Sequence, residues 1–256
     1  MSVLFPLSRR AAVLALALSS LASAPVASFA AQASAAVPSA APSYTAAIDS
    51  SLRSDADRNS DAKRKPAEFL AFAQVKPGMK ALDVSSAGGG TAALIALAVG
   101  PAGEVWAQNA KPSENLTKRL AAAPQANLHP VVASFEHPVP AGMPPLDLIT
   151  INLNYHDIVN TPTDRAAMNR ALFAALKPGG YLVIVDNAAR AGSGLADTKT
   201  LHRIDEAAVV AELTAAGFTL DGRSDYLHVA ADPRTLPFFK MDGQPDDKFA
   251  LRFVKK

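Results

Sequence analysis

An apolar run ending in a carboxylate, a small-residue turn and an apolar helical pattern follow one another around Asp83-Val-Ser-Ser-Ala-Gly-Gly-Gly-Thr91. The run covers 79–84 and the helical pattern 91–99. Strand, turn and helix in that order open a doubly wound α/β domain, in which ligands sit beyond the carboxyl end of the strand. Glycines let the backbone approach a ligand closely, and a helix N-terminus offers free N–H groups. Here they come late, at Gly88, Gly89 and Gly90, after Ser85, Ser86 and Ala87.

The alternation continues along the chain. Strands are expected at 80–84, 104–108, 128–133, 146–153 and 181–186, with helices at 91–99, 113–123 and 162–176 between them. Near-continuous apolar strands separated by helices predict a parallel sheet covered on both faces. Pro66 opens a further helix through Phe72, since proline is tolerated at the first helical position. The polar, mixed-charge stretch 44–65 reads as a solvated helix. Lys177-Pro-Gly-Gly180 reads as a sharp turn. A helix at 205–216 stops at Gly217, and strands at 218–227 and 249–254 flank a long loop rich in Pro, Asp and Gly. No internal repeat is visible, and one domain is expected.

The first residues differ from the rest. Arg9 and Arg10 precede the apolar run 11–18, and small-x-small sites follow at Ser28-Phe-Ala30 and Ala31-Gln-Ala33. This is the pattern of a secretory signal peptide over 1–33, and it implies a periplasmic or secreted protein. The run is too short to span a bilayer, so no stable membrane span is expected after cleavage. Adjacent arginines suggest the twin-arginine route, while Ala12 stands where that signal has a bulky apolar residue; both routes stay open. Residues 34–50, beginning in an Ala/Ser/Pro-rich stretch, are read as a disordered spacer. Removing Arg9 and Arg10 from 25 basic residues leaves 23 against 23 acidic ones. A neutral mature chain gives no pull toward nucleic acid. With no cysteine there are no disulfides or thiolate metal sites.

Five alternating units, the Lys-Pro-Gly-Gly turn and the closing strand pair resemble class I S-adenosylmethionine-dependent methyltransferases. The similarity extends to an exported bacterial subgroup of predicted methyltransferases. It is carried by Arg64-Lys-Pro-Ala-Glu-Phe-Leu-Ala-Phe72, Lys76-Pro-Gly-Met79, Asn154-Tyr-His-Asp157, Gly192-Ser-Gly194, Thr200-Leu-His-Arg-Ile-Asp205 and Asp247-Lys-Phe-Ala-Leu-Arg-Phe253. The resemblance implies a Rossmann-like, seven-stranded, mostly parallel sheet with an antiparallel final strand, a methyltransferase-like domain over 51–256. It also implies S-adenosylmethionine as cofactor and methyl transfer to an acceptor, here expected to be a small molecule. A catalytically inactive binding or scaffold protein of the cell envelope is the alternative. A nicotinamide oxidoreductase fits less well, because the glycines lie too far past the strand and the second strand lacks a terminal acid.

The chain departs from the family pattern in two places. Ser85 and Ala87 fill positions where glycine is usual, and only Gly89 matches the pattern's third glycine. The second strand ends in Gln108 and Asn109 rather than in the acid that holds both ribose hydroxyls; an amide offers one acceptor oxygen and a donor group instead. The resemblance thus points to Asp83, Ser85, Ala87, Gly88, Gly89, Asn109 and Asn154 for the cofactor, with Asn109 at the ribose. His156 is the candidate base, having an ordinary pKa suited to proton abstraction, and Tyr155 is the second catalytic candidate, shaping the pocket or contacting the cofactor. A structural His156–Asp157 pair is the competing reading. Arg203 suits either a substrate anion or loop support, and Asp205 is read as a helix cap. The five histidines are scattered with no His-x-x-x-His pair, so no metal site is expected. A Gly-x-Ser-x-Gly elbow and a phosphate loop are absent too.

Overall fold

A computed structural model describes residues 44–256. The expected signal peptide, and the spacer up to residue 43, lie outside the described residues. The chain is folded from Tyr44, ahead of the domain start expected at 51: Tyr44 Oη donates to the Val75 carbonyl at 2.8 Å.

Three short helices, α1 (Thr45–Ile48), α2 (Asp55–Asn59) and α3 (Asp61–Arg64), replace the single solvated helix expected there. Their charges are used inward. Arg53 is buried and paired with Asp61, and Asp57 reaches Arg119. Helix α4 (Pro66–Phe72) follows, with proline at its first position.

The remaining elements are β1 (Lys80–Val84), α5 (Gly90–Val99), β2 (Glu104–Asn109), α6 (Glu114–Ala122), β3 (Leu128–Val132) and β4 (Leu146–Asn152). Then come α7 (Tyr155–Val159), α8 (Arg165–Ala175), β5 (Leu176–Asn187), α9 (Glu206–Ala215), β6 (Thr219–Ser224) and β7 (Lys248–Val254). The expected turn at 177–180 is part of β5: Leu176 pairs with Leu146 across an irregularity, and Lys177 pairs with Asp147 at 2.6 Å.

The strands form one seven-stranded sheet in the order β3-β2-β1-β4-β5-β7-β6. All neighbours are parallel except that β7 runs antiparallel to β5 and β6. Successive side chains of a strand point to opposite faces, and the core divides accordingly. Ala81, Leu148, Val183 and Val185 pack with α4 and α5, whereas Leu82, Ile149, Ile151, Leu182 and Ile184 pack with α7, α8 and α9. Each buried Leu or Ile contributes roughly 1.5–3 kcal/mol, so both layers are needed to hold the central strands. The order runs outward in both directions from β1 and β4, so the crevice at their carboxyl ends is the topological switch point. Among the described residues, no helix is long and apolar enough to cross a membrane.

Candidate functional site

The turn after β1 has the backbone of a glycine loop, with side chains at two of its three left-handed positions. Ser85 has φ +55° and Ala87 φ +50°, both left-handed, and Gly89 follows at φ +77°. A left-handed residue with a Cβ costs roughly 1–2 kcal/mol. The fold therefore imposes on Ser85 and Ala87 the conformation that glycine supplies freely. At Gly89 the left-handed backbone favours glycine, and a Cβ would lie 2.5 Å from Leu116 Cδ1, so the Leu116 side chain would have to shift to admit one.

Polar contacts repay that strain. Gln108 Oε1 accepts from Ser85 N at 3.1 Å, and Asn109 Oδ1 accepts from Ala87 N at 2.8 Å. Asn109 also donates to the Ala87 carbonyl at 3.3 Å, and Asn154 donates to the Ser85 carbonyl at 2.8 Å. Arg119 Nε donates to the Gly88 carbonyl at 2.7 Å while its other nitrogens grip Asp57 at 2.6 and 2.8 Å. Burial opposes the Asp57 charge, but hydrogen bonds from Arg119 and Ser54 outweigh it and hold the carboxyl at about 2. The Asp57–Arg119 clamp was not expected from the sequence. The one available signal was an acid in a mixed-charge stretch, and nothing local couples it to α6.

Asp83 ends β1 as expected but is buried, at 2% exposure. Ser86 Oγ and Thr150 Oγ1 each donate to it at 2.7 Å. Burial pushes its carboxyl up to about 6 against those hydrogen bonds. Its role in this geometry is to hold the turn through Ser86, with its oxygens already taken.

On the other side of the switch point, β4 leads directly into the short helix α7. Tyr155 is fully buried and faces the helices: its hydroxyl donates to Glu212 at 2.7 Å and accepts from Asn169 at 2.9 Å. The apolar ring and satisfied hydroxyl belong to the α8–α9 packing. Arg165 completes that network on Glu212 at 2.8 Å.

His156, the candidate base, sits between two carboxylates. Its ring is 2% exposed, Nδ1 lies 2.6 Å from Asp186 Oδ1, and Nε2 lies 3.3 Å from Asp157 Oδ1. Burial disfavours its charged form, but hydrogen bonds to Asp157 and Asp186 win and push its pKa up to about 10. The backbone fixes the arrangement, because Asp186 Oδ2 also accepts from His156 N at 2.9 Å.

Two of the five histidines converge. Ala188 forms a parallel bridge with Ile204, drawing the segment before α9 back along β5. His202, at φ +52°, is thereby set edge-on to His156 with ring centroids 5.5 Å apart. His202 Nδ1 lies 3.3 Å from the same Asp157 oxygen. The sequence reading did not anticipate this grouping of His156, Asp157 and His202, since spacing along the chain carries no trace of a bridge between strand end and loop.

Arg203 is fully buried and serves the loop. It donates to the Ala188 and Leu236 carbonyls at 3.0 and 2.9 Å and pairs with Asp232 at 2.8 Å. Asp205 caps α9 by accepting from Ala207 N at 3.1 Å, and also accepts from Gly192 N at 2.8 Å. A surface depression of about 760 Å³ along α9, lined by Asp205, Val210 and Arg223 among others, includes none of the turn residues.

The sheet order and the antiparallel β7 define the Rossmann-like fold of class I methyltransferases. Among solved structures, the chain is similar to a SAM-dependent methyltransferase from Aquifex aeolicus, 18% identical, covering 78% of this chain and 95% of that one with a TM-score of 0.59. It is similar to the N-methyltransferase NodS from Bradyrhizobium japonicum, 14% identical over 77% of this chain and 98% of that one, TM-score 0.55. A TehB-like SAM-dependent methyltransferase from Corynebacterium glutamicum is 16% identical over 78% and 98%, TM-score 0.50. No protein-family model matches the sequence, and no curated protein matches it. At these identities the likeness is one of fold.

Proposed function

We propose that the chain is an S-adenosylmethionine-dependent methyltransferase acting on a small-molecule acceptor, exported to the periplasm or beyond by residues 1–33. The carrying observation is the turn after β1, which keeps left-handed backbone at Ser85, Ala87 and Gly89 although two of the three have side chains. Strain of that kind persists where surrounding structure enforces it, and it clusters at ligand sites. The turn lies at the switch point of a methyltransferase fold, where a nucleoside cofactor fits.

The cofactor supplies a methyl group on a sulfonium sulfur. In this reading the backbone of Ser85, Ala87, Gly88 and Gly89 approaches it, Asn109 meets the ribose, and Asn154 holds the turn against β4. Asp83 keeps the turn in place from beneath. Methyl transfer is a direct displacement, so orienting the two reactants carries most of the catalysis. The neutral balance of the mature chain supports a small acceptor over nucleic acid.

One observation favours the non-catalytic alternative: Asn109 is already hydrogen-bonded to both polar backbone atoms of Ala87. Calorimetry with S-adenosylhomocysteine separates the two. Saturable one-to-one binding is expected, weakened about five- to tenfold in Asn109→Ala through loss of a neutral hydrogen bond. Absence of heat up to millimolar ligand, with the fold intact by circular dichroism, would sink the enzyme reading. Sequencing the N-terminus of the protein recovered from its host tests cleavage after residue 33.

A further inference from the structure

Two imidazoles and a carboxylate converge after β4, and their arrangement is that of ligands around an ion. Ligand atoms about 2.1 Å from a tetrahedrally coordinated zinc stand about 3.4 Å apart. Asp157 Oδ1 lies 3.3 Å from His156 Nε2 and 3.3 Å from His202 Nδ1, and all three groups lie within 4.8 Å of one another. We propose that His156, Asp157 and His202 bind a divalent transition ion of the zinc class, with Asp186 orienting His156 for it.

Three observations carry this beyond proximity. A ligating histidine commonly donates its other ring N–H to a carboxylate, which fixes tautomer and orientation. Asp186, fully buried, takes His156 Nδ1 in that manner at 2.6 Å, so Nε2 is the nitrogen aimed at the cluster. His202 is held in a left-handed conformation unusual for a side chain. Asn187, next to Asp186, secures its carbonyl at 3.0 Å, so the end of β5 supports both imidazoles. Finally, the donor set discriminates: two nitrogens and one oxygen suit zinc and its neighbours, whereas magnesium prefers oxygen alone.

Metal binding releases the proton from the ligating nitrogen, so the ion replaces the Nε2 proton shared with Asp157. Three protein ligands leave a position for a further oxygen. The half-exposed Phe239 packs on His202 with centroids 5.4 Å apart and gives that side an apolar flank. Resting on the methyl-transfer reading, the acceptor is an oxygen-bearing organic molecule held through that oxygen.

Zinc titration of the untagged full chain, followed by calorimetry without S-adenosylmethionine, tests the site. One equivalent is expected to bind, and cobalt in its place gives visible absorption bands characteristic of low coordination. Asp157→Asn and His202→Asn alter partly exposed side chains, and asparagine tolerates the left-handed backbone at 202. Each is expected to weaken zinc at least as much as Asp186→Asn, which as an outer partner should cost about 10- to 100-fold. No stoichiometric zinc site in the parent, or unchanged affinity in folded Asp157→Asn and His202→Asn, overturns the proposal. Because the titration uses no cofactor, its failure leaves the methyl-transfer reading standing, and failure of S-adenosylhomocysteine binding leaves the metal site standing.

Discussion

The turn after β1 and the helix after β4 meet the same edge of the sheet, and they are held by opposite means. The first is a strained backbone knit by neutral amides: Gln108, Asn109 and Asn154 each satisfy one or two backbone groups. The second is a set of charges, with His156 between Asp157 and Asp186, and Arg203, the neighbour of His202, on Asp232. A neutral hydrogen bond contributes about 1 kcal/mol net, so a ligand can exchange with any one of them at little cost. Breaking a buried ion pair from one side costs about 3–5 kcal/mol, because the remaining charge is stranded. One edge is thus built to yield to a ligand and the other to keep its shape.

The largest test of that contrast is Arg203→Ala. The substitution strands Asp232 and leaves the Ala188 and Leu236 carbonyls without their donor. Urea denaturation should show a loss of about 3–5 kcal/mol. A loss below about 1 kcal/mol would mean that the long loop before β7 is held by something other than its charges.

Asp83 gives a smaller effect with a definite sign. Its folded pKa, about 6, lies above the ordinary 3.8, so the folded state binds the proton more tightly than the unfolded chain does. Stability from this group is therefore greatest at low pH and falls as pH rises from about 4 to about 6, then levels. Relative to Asp83→Asn, the parent should lose on the order of 3 kcal/mol across that window. A pH-independent difference between the two proteins would show that the buried carboxyl is not perturbed.

The same contrast explains what was legible in the sequence. Strand and helix periods are local, so β1, β2, β4 and the α5 and α9 helices fall within a few residues of expectation, and Asp205 caps α9 as read. Family likeness likewise anticipated the seven-stranded sheet and its antiparallel final strand. Long-range polar pairing has no local signature. Asp57 in α2 reaches Arg119 in α6, and His202 reaches His156 only because Ala188 bridges Ile204. Tyr155 shows the converse: its position after β4 suggested a pocket, while burial beside Asn169 and Glu212 turned it into the core. Position relative to a strand end locates a site, but the direction a side chain takes there is set by partners far along the chain.

Restoring glycine to the strained turn gives the smallest effect and the sharpest reading of the contrast. At Ala87 the left-handed backbone costs roughly 1–2 kcal/mol, and glycine gives back part of that gain through its more flexible unfolded chain. Ala87→Gly and Ser85→Gly should therefore each stabilise the protein by about 1 kcal/mol. Neither change removes the backbone hydrogen bonds to Asn109, Gln108 or Asn154. If the strain serves ligand binding, the double variant becomes more stable while S-adenosylhomocysteine binds less tightly, because a relaxed turn must be ordered again on binding. Should affinity rise together with stability, Ser85 and Ala87 are burdens that the turn merely tolerates, and the amide clasp alone shapes the site. Denaturation and calorimetry on the same two proteins decide between these outcomes.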